Sequence, residues 1–247
     1  MKGVILAGGS GTRLYPLTRI TNKHLLPIYD RPMVAYAIEA LVTAGVNEVM
    51  LVTGGHHAGE FLRLLGSGHE WGLDRLSFAY QERAGGIAEA LGLAERFAGD
   101  GKVVVMLADN ILGGTLNEAV SAFEAQDKGA RVLLARIEDR AHLVHLGVAD
   151  LTADGLIRRI VEKPEDPPSD YAVTGVYFYD ASVFEVVKDL EPSGRGELEI
   201  TDVNNHYVDA GTMTYSVLEG FWGDAGESIE AYYEVNDHVR QHGANRP

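Results

Sequence analysis

The chain has 247 residues and a mass of 26.8 kDa, is 46% hydrophobic and 23% charged, and carries a formal net charge of −15. This is the composition of a folded globular protein, long enough to bury roughly 70% of its unfolded surface without disulfides or a structural metal. The acidic balance argues against nucleic acid or an anionic membrane as partner, and the absence of cysteine excludes disulfides, thiolate metal sites, a cysteine nucleophile and iron–sulfur ligation.

The predicted elements begin at once. KGVILA, Lys2 to Ala7, is a short apolar run closed by Gly8 and Gly9, the pattern of a strand buried on both faces. Pro32 then opens a segment in which Met33, Tyr36, Ala37, Ala40, Leu41 and Ala44 follow helical spacing, with Gly45 where a helix would stop. EVMLVTG follows as a second strand, then a helix near Ala58 to Leu65, a strand near Leu76 to Tyr80, a helix near Ile87 to Phe97, and the strand KVVVMLA ending at Asp109. Strands alternating with helices predict parallel pairing, right-handed crossovers and helices on both sheet faces.

A helix near Leu116 to Ala125 and the strand ARVLLARI come next. The pattern then changes: LGVADLT, the turn Asp154-Gly155 and LIRRIVEK predict an antiparallel hairpin. EKPEDPPSDY is a loop, AVTGVYFYD is strongly β-prone, and a helix is expected near Ala181 to Leu190. A helix, a strand and a long helix from about Glu227 to Gln241 complete the chain. The predicted fold class is α/β: a three-layer, Rossmann-like open mixed sheet, mostly parallel, with a small antiparallel insertion. No span approaches the roughly 18 apolar residues that cross a bilayer. The run from Gly3 to Ala7 is shorter than the roughly 7 to 15 residue core of a signal peptide, so no membrane association and a cytoplasmic location are expected.

The richest local signal is LAGGSGTRLYPLT, where a buried strand runs into glycines and then an arginine. Gly8, Gly9 and Gly11 allow backbone amides to approach an anion. A dinucleotide fingerprint started at Gly9 and Gly11 meets Leu14 at its last glycine position, and the lysine of a Walker A loop is missing. A purely structural turn is the competing reading of such glycines. Arg13 weighs against it, because a guanidinium supplies bidentate, charge-assisted bonds to phosphate oxygens.

GGSGTRLYPLT is followed by NKHLLPIYDRPM, and then by GIAEAL, ADN, EKP, YAVTGVYFYD and RGELEITDVN. In that order these segments resemble the sugar nucleotidyltransferases, most closely the glucose-1-phosphate thymidylyltransferases, over nearly the whole chain from Met1 to about Asn236. The resemblance implies one nucleotidyltransferase domain over 1–247, with a nucleotide-binding part over about 1–110, a sugar-binding part over about 111–225 and a terminal helix over about 226–242. It implies that a sugar-1-phosphate oxygen attacks the α-phosphorus of dTTP directly and in line, giving dTDP-glucose and pyrophosphate with Mg²⁺ as cofactor. UTP or another sugar-1-phosphate stays open as substrate, and a homo-oligomer is expected.

Residue by residue, the resemblance places Leu6, Gly8, Gly9, Gly11, Thr12, Arg13, Lys23, His24, Gln81 and Gly86 around the nucleotide. Arg13 and Lys23 act as cations there, and Gln81 offers a donor and an acceptor to a pyrimidine edge. Around the sugar phosphate it places Asn110, Gly147, Glu162, Lys163, Val173 and Arg195, with Lys163 and Arg195 holding the nucleophile; a solvated loop charge competes for Arg195. Asp109, which projects beyond the carboxyl end of a strand where open α/β sheets bind ligands, and Asp224 in FWGDAG are the implied metal ligands. Together with phosphate oxygens they make a hard, oxygen-only site suited to Mg²⁺; turn or helix capping is the competing reading of each Asp. The catalytic set is thus Arg13, Lys23, Asp109, Lys163 and Asp224.

Three departures stand out. Ala108 precedes Asp109 where the family commonly has Gly, His24 follows Lys23 where it commonly has Gln, and ERAGG replaces a proline-bearing loop, which leaves base specificity open. Longer relatives carry a further C-terminal segment with oligomer contacts and feedback, which is not carried over to a chain ending at Pro247. These departures motivate the competing class, a nucleotide-sugar sensor without turnover. The pairs His56-His57 and His142/His145 lack an HExxH pattern or a third ligand and read as exposed histidines.

Overall fold

The computed structural model describes residues 1–9, 11–194 and 196–246. In chain order, β1 (Lys2–Ala7) leads through a loop and a short ribbon of β2 (Pro27–Ile28) and β3 (Arg31–Pro32) into α1 (Met33–Thr43) and β4 (Glu48–Gly54). Next come α2 (Ala58–Leu65), β5 (Arg75–Gln81), α3 (Ile87–Gly92), α4 (Glu95–Ala98), β6 (Val103–Leu107) and β7 (Asn110–Leu112). Then follow α5 (Asn117–Ala125), β8 (Ala130–Arg136), α6 (Arg140–Leu143), β9 (Gly147–Leu151), β10 (Ile157–Glu162) and β11 (Tyr171–Tyr179). The chain finishes with α7 (Val183–Asp189), α8 (Ile200–Asp209), β12 (Met213–Val217), β13 (Trp222–Asp224) and α9 (Ile229–His242).

The main sheet runs β10-β9-β11-β6-β1-β4-β5, with β8 pairing both β11 and β12. β6, β1, β4 and β5 are mutually parallel, and β11 enters antiparallel to β6. Side chains of a strand alternate between faces, and β1 divides the core accordingly. Val4 and Leu6 pack with α3, α7 and α8 on one face, whereas Ile5 and Ala7 pack with α1, α2 and α5 on the other. Continuous apolar runs are what such a doubly covered sheet demands.

Register fixes the position of the site. Ala7 stands opposite Thr53, Gly54 opposite Gln81, and Leu6 opposite Leu107. The loop after β1, the end of β5 and Asp109 therefore emerge at one edge of the sheet. A third apolar cluster, in which Leu14, Ile28 and Met33 meet Tyr232, Val235 and Val239, seats α9 beneath the β1 loop.

The structure departs from the sequence reading at α3–α4 and at the hairpin, and adds the short elements β2, β3, β7, α6 and β13 that the sequence reading does not include. The helix expected over Ile87 to Phe97 is two helices, because Gly92, the poorest helix former short of proline, ends α3. A methyl group there would lie 3.3 Å from Val187 of α7. The hairpin forms as expected between β9 and β10, but it is continuous with the main sheet, since Ala172 of β11 pairs with Val148 of β9.

Candidate active site

A cleft of about 400 Å³ opens at the edge where β1, β5 and β6 end. From the β1 side it is lined by Leu6, Gly8, Gly9, Arg13, Lys23 and His24. Gln81 and Gly86 line it from the β5–α3 connection, and Asp109, Asn110 and Asp224 line its floor. From the hairpin side come Gly147, Glu162, Lys163 and Val173. Segments scattered from Leu6 to Asp224 thus converge on one cavity.

Two expected residues do not line it. Gly11 takes φ +62° and turns the loop, its carbonyl accepting from Thr18 Oγ1 at 2.8 Å. Thr12 begins the short 3-10 turn that presents Arg13. Arg195 lies outside the described residues.

Two three-residue strands bring the carboxylates together. β13 pairs antiparallel with β7 so that Asp224 stands opposite Asn110, and Ala225 N donates to Asp109 O at 2.9 Å. Lys23 Nζ lies 2.5 Å from Asp109 Oδ2, and His24 Nε2 lies 3.7 Å from the same oxygen.

The electrostatics follow from this crowding. Burial pushes the Asp109 carboxyl up, but the Lys23 charge and the His24 imidazole outweigh it and hold the group well below the usual carboxylate range. Burial likewise pulls the Lys23 ammonium down, and Asp109 outweighs it, so the lysine is raised. At Asp224 the balance is reversed: burial, then the Asp109 charge, outweigh the Lys23 charge and the N–H that Gly226 donates at 2.8 Å, and push it up to about 7. His24 is lowered by burial, and its backbone N–H and Nδ1 both lie 2.9 Å from Asn22 Oδ1.

Asn110 is committed within the protein. Its Oδ1 accepts from Gly175 N at 2.8 Å and Trp222 Nε1 at 2.7 Å, and its Nδ2 donates to Asp109 Oδ1 at 3.2 Å. Although it lines the cleft, its side chain orients the Asp109 carboxylate. At Gly86, φ is +98° and a Cβ would lie 2.4 Å from Leu198 O, so the close approach there is to Leu198 backbone.

Comparison with known proteins decides the family. The family model described as nucleotidyl transferase matches residues 2–242. The chain belongs to that family. It is 41% identical over 97% of its length to a glucose-1-phosphate thymidylyltransferase of Neisseria gonorrhoeae, covering 83% of that protein. It is 42% identical over 97% of its length to the Actinoplanes sp. enzyme of the same name, covering 78% of it. A solved Bacillus anthracis structure in complex with sucrose superposes with a TM-score of 0.91 at 45% identity, covering 97% of this chain and 95% of that one.

This nucleotidyltransferase also has cleft residues that sequence reasoning did not single out. Thr201 Oγ1 donates to Glu162 Oε2 at 2.9 Å, across from the hairpin. Trp222 lies two residues before Asp224 and reaches Asn110, and Glu89 of α3, which does not itself line the cleft, reaches the cleft residue Gln81. Thr201 and Glu89 lie within quoted motifs, so their segments were flagged. The signal for their partners was absent, because no local spacing joins residues 39 and 112 positions apart, as Thr201/Glu162 and Trp222/Asn110 are.

The donor set fits a hard divalent cation. Asp109 and Asp224 offer oxygen only, their like charges oppose each other, and a cation relieves that repulsion. No group of three or more His, Cys, Asp or Glu able to hold a metal ion occurs among the described residues. No helix among the described residues is long and apolar enough to cross a membrane.

Proposed function

We propose that the cleft transfers a thymidylyl group from dTTP to glucose-1-phosphate, releasing dTDP-glucose and pyrophosphate. The observation that carries this reading is the grouping of Arg13, Lys23, Asp109 and Asp224 at the sheet edge, with Gln81 on one side and Lys163 with Glu162 on the other. That grouping has cations and carboxylates in the middle, the Gln81 amide at one end and the polar groups of Lys163 and Glu162 at the other.

In this reading the nucleotide occupies the part built from residues up to about 110, and the sugar phosphate occupies the part that follows. Arg13 binds the triphosphate near the leaving pyrophosphate. Lys23 neutralises charge on the nucleotide while holding Asp109 in place. Lys163, whose Nζ is 3.7 Å from Glu162 Oε1, binds the phosphate of the sugar and aligns its oxygen on the α-phosphorus. Glu162, fixed by Thr201, accepts from hexose hydroxyls. A phosphate oxygen of the sugar then forms a bond to the α-phosphorus as the bond to the β-phosphate oxygen breaks. Positioning and charge neutralisation supply most of the rate in such a step. Asp109 and Asp224 would hold Mg²⁺, which when bound would neutralise phosphate charge.

A direct displacement inverts configuration at phosphorus. With dTTP chiral at the α-phosphorus through sulfur substitution, the product dTDP-glucose is expected to be inverted. Retention, or no dTDP-glucose at all, contradicts the reading.

Lys163 gives a second test, because its backbone takes the left-handed conformation, φ +46°, with its N–H on Leu146 O at 2.9 Å. That conformation costs a non-glycine residue about 1–2 kcal/mol, and strain of this kind collects at functional sites. Lys163→Gly is therefore expected to leave thermal stability equal or slightly higher. It is also expected to raise the KM for the sugar-1-phosphate and lower kcat/KM by about 10²-fold. Unfolding temperature and steady-state kinetics on the same preparation read both, and an unchanged kcat/KM removes Lys163 from the site.

A further inference from the structure

The connection between β5 and α3 has a set of contacts that no role above requires. Gln81 ends β5, and its Nε2 donates to Gly86 O at 3.2 Å and to Glu89 Oε1 at 3.2 Å. A backbone carbonyl and a carboxylate only accept, so the chemistry of these partners fixes which end of the amide is nitrogen. Both N–H groups of Gln81 are spent inside the protein. Its Oε1 is the end that remains, and it faces the β1 loop, 3.3 Å from where a Cβ on Gly8 would stand.

Glu89 is itself held. Arg83 Nε and Nη2 reach its Oε2 at 3.0 and 2.8 Å, so one carboxylate oxygen serves Arg83 while the other serves Gln81. The chain leaves room for this arrangement: a Cβ at Gly85 would lie 2.2 Å from the Glu89 carboxyl atoms. Backbone bonds from Leu198 N to Gly85 O at 2.9 Å and from Ala88 N to Leu198 O at 3.2 Å anchor the same turn. The segment ERAGG, which lacks the proline expected by resemblance, is thus braced by side chains of its own.

We propose that Glu89 is a positioning residue for base selection: by holding the Gln81 amide nitrogen it leaves the Gln81 oxygen as the group that meets the base. An acceptor in that place favours a base with a ring N–H, as thymine and uracil have at N3. It rejects cytosine, whose N3 is an acceptor, because two opposed acceptors in a desolvated recess leave each other unpaired. The sequence reading gave Gln81 a donor and an acceptor for the base; the structure commits the donor elsewhere and assigns selection to the acceptor. This proposal rests on the reading that Gln81 faces the nucleotide base.

The test is an internal competition. Equal dTTP and CTP are supplied with glucose-1-phosphate and Mg²⁺, and dTDP-glucose and CDP-glucose are separated and measured. The unmodified chain is compared with Glu89→Gln, which is isosteric and can donate to Gln81 instead of accepting from it, with Glu89→Leu, and with Gln81→Leu. The CDP-glucose share is expected to rise about tenfold or more in both Glu89 variants, because the Gln81 amide can then turn its nitrogen to the cleft. A merely structural loss lowers both products together and leaves the share unchanged. A share that stays at the unmodified level in both Glu89 variants, while Gln81→Leu changes it, overturns the role of Glu89 and spares the base reading of Gln81. A share unmoved in all three variants overturns the base reading and this proposal with it.

Discussion

Lys23→Met is expected to lower stability by about 3–5 kcal/mol and kcat/KM by about 10³-fold. Lys23 Nζ sits 2.5 Å from Asp109 Oδ2, and the two side chains are only 17% and 9% exposed. Breaking a buried pair by removing one partner leaves the other charge without compensation, and that remnant is the main cost. Here the remnant is worse than a lone carboxylate, since Asp224 stands close enough to Asp109 for the two charges to oppose each other. Lys23 answers both carboxylates: its ammonium is favoured by Asp109 first and Asp224 second against the pull of burial.

In a chain of this size the loss corresponds to a fall in Tm of about 6–15 °C. The deficit is to be read with chelator present and then with saturating Mg²⁺, which is expected to return part of it by supplying positive charge to the same carboxylates. A Tm within about 2 °C of the unmodified chain in chelator shows that the pair is worth little.

The second large effect has two opposite signs. Asp224→Asn is expected to stabilise the metal-free protein at pH 8 while lowering turnover by about 10²- to 10³-fold. The folded carboxyl sits at about 7, against an ordinary value of 3.8, raised by burial and then by Asp109. The folded state therefore binds this proton more tightly than the unfolded state does. Stability from that difference is fully present below pH 3.8 and is lost as pH rises to about 7.

At pH 8 the unmodified chain has lost it, a penalty on the order of 4 kcal/mol, and the neutral amide escapes the penalty. In chelator the variant's Tm is expected to exceed that of the unmodified chain at pH 8, and the gap is expected to close progressively as pH falls from about 7 towards 3.8. With saturating Mg²⁺ the order reverses, because a bound cation favours the carboxylate. A variant less stable than the unmodified chain at pH 8 in chelator shows that the Asp224 charge is not opposed in the folded state. Such a residue is retained for function at a cost in stability.

Much of this arrangement is legible in the sequence because it is carried by local patterns. KGVILA and KVVVMLA are apolar without interruption, the signature of strands covered on both faces, and once they pair in parallel their ends must share an edge. Gly8, Gly9 and Asp109 follow those ends directly, so the edge of the sheet at which the cleft opens is readable from three residues. The hairpin of β9 and β10 is readable for the same reason, from alternation around Asp154-Gly155.

What is not legible depends on partners distant in the chain. β7 and β13 have three residues each, too short for any period to show, yet their pairing brings Asp224 to Asp109. Asn110 reads as a sugar contact beside a metal ligand; only the placement of Gly175 and Trp222 shows that its oxygen is filled and its nitrogen holds Asp109. Gln81 reads as a two-way hydrogen-bonding group, and Glu89 removes one of the two directions. The break at Gly92 falls inside the single helix expected over Ile87 to Phe97, and only the placement of α7 shows that a methyl group there would lie 3.3 Å from Val187.

The most direct test of the central claim is pyrophosphate release with Mg²⁺ and glucose-1-phosphate, measured separately for dTTP, UTP, GTP, ATP and CTP. Release is expected with dTTP above all others, with UTP next because it shares the N3–H edge, and is expected to stop when the cation is chelated. Release led by CTP or a purine nucleotide, or none with any of the five, contradicts the account.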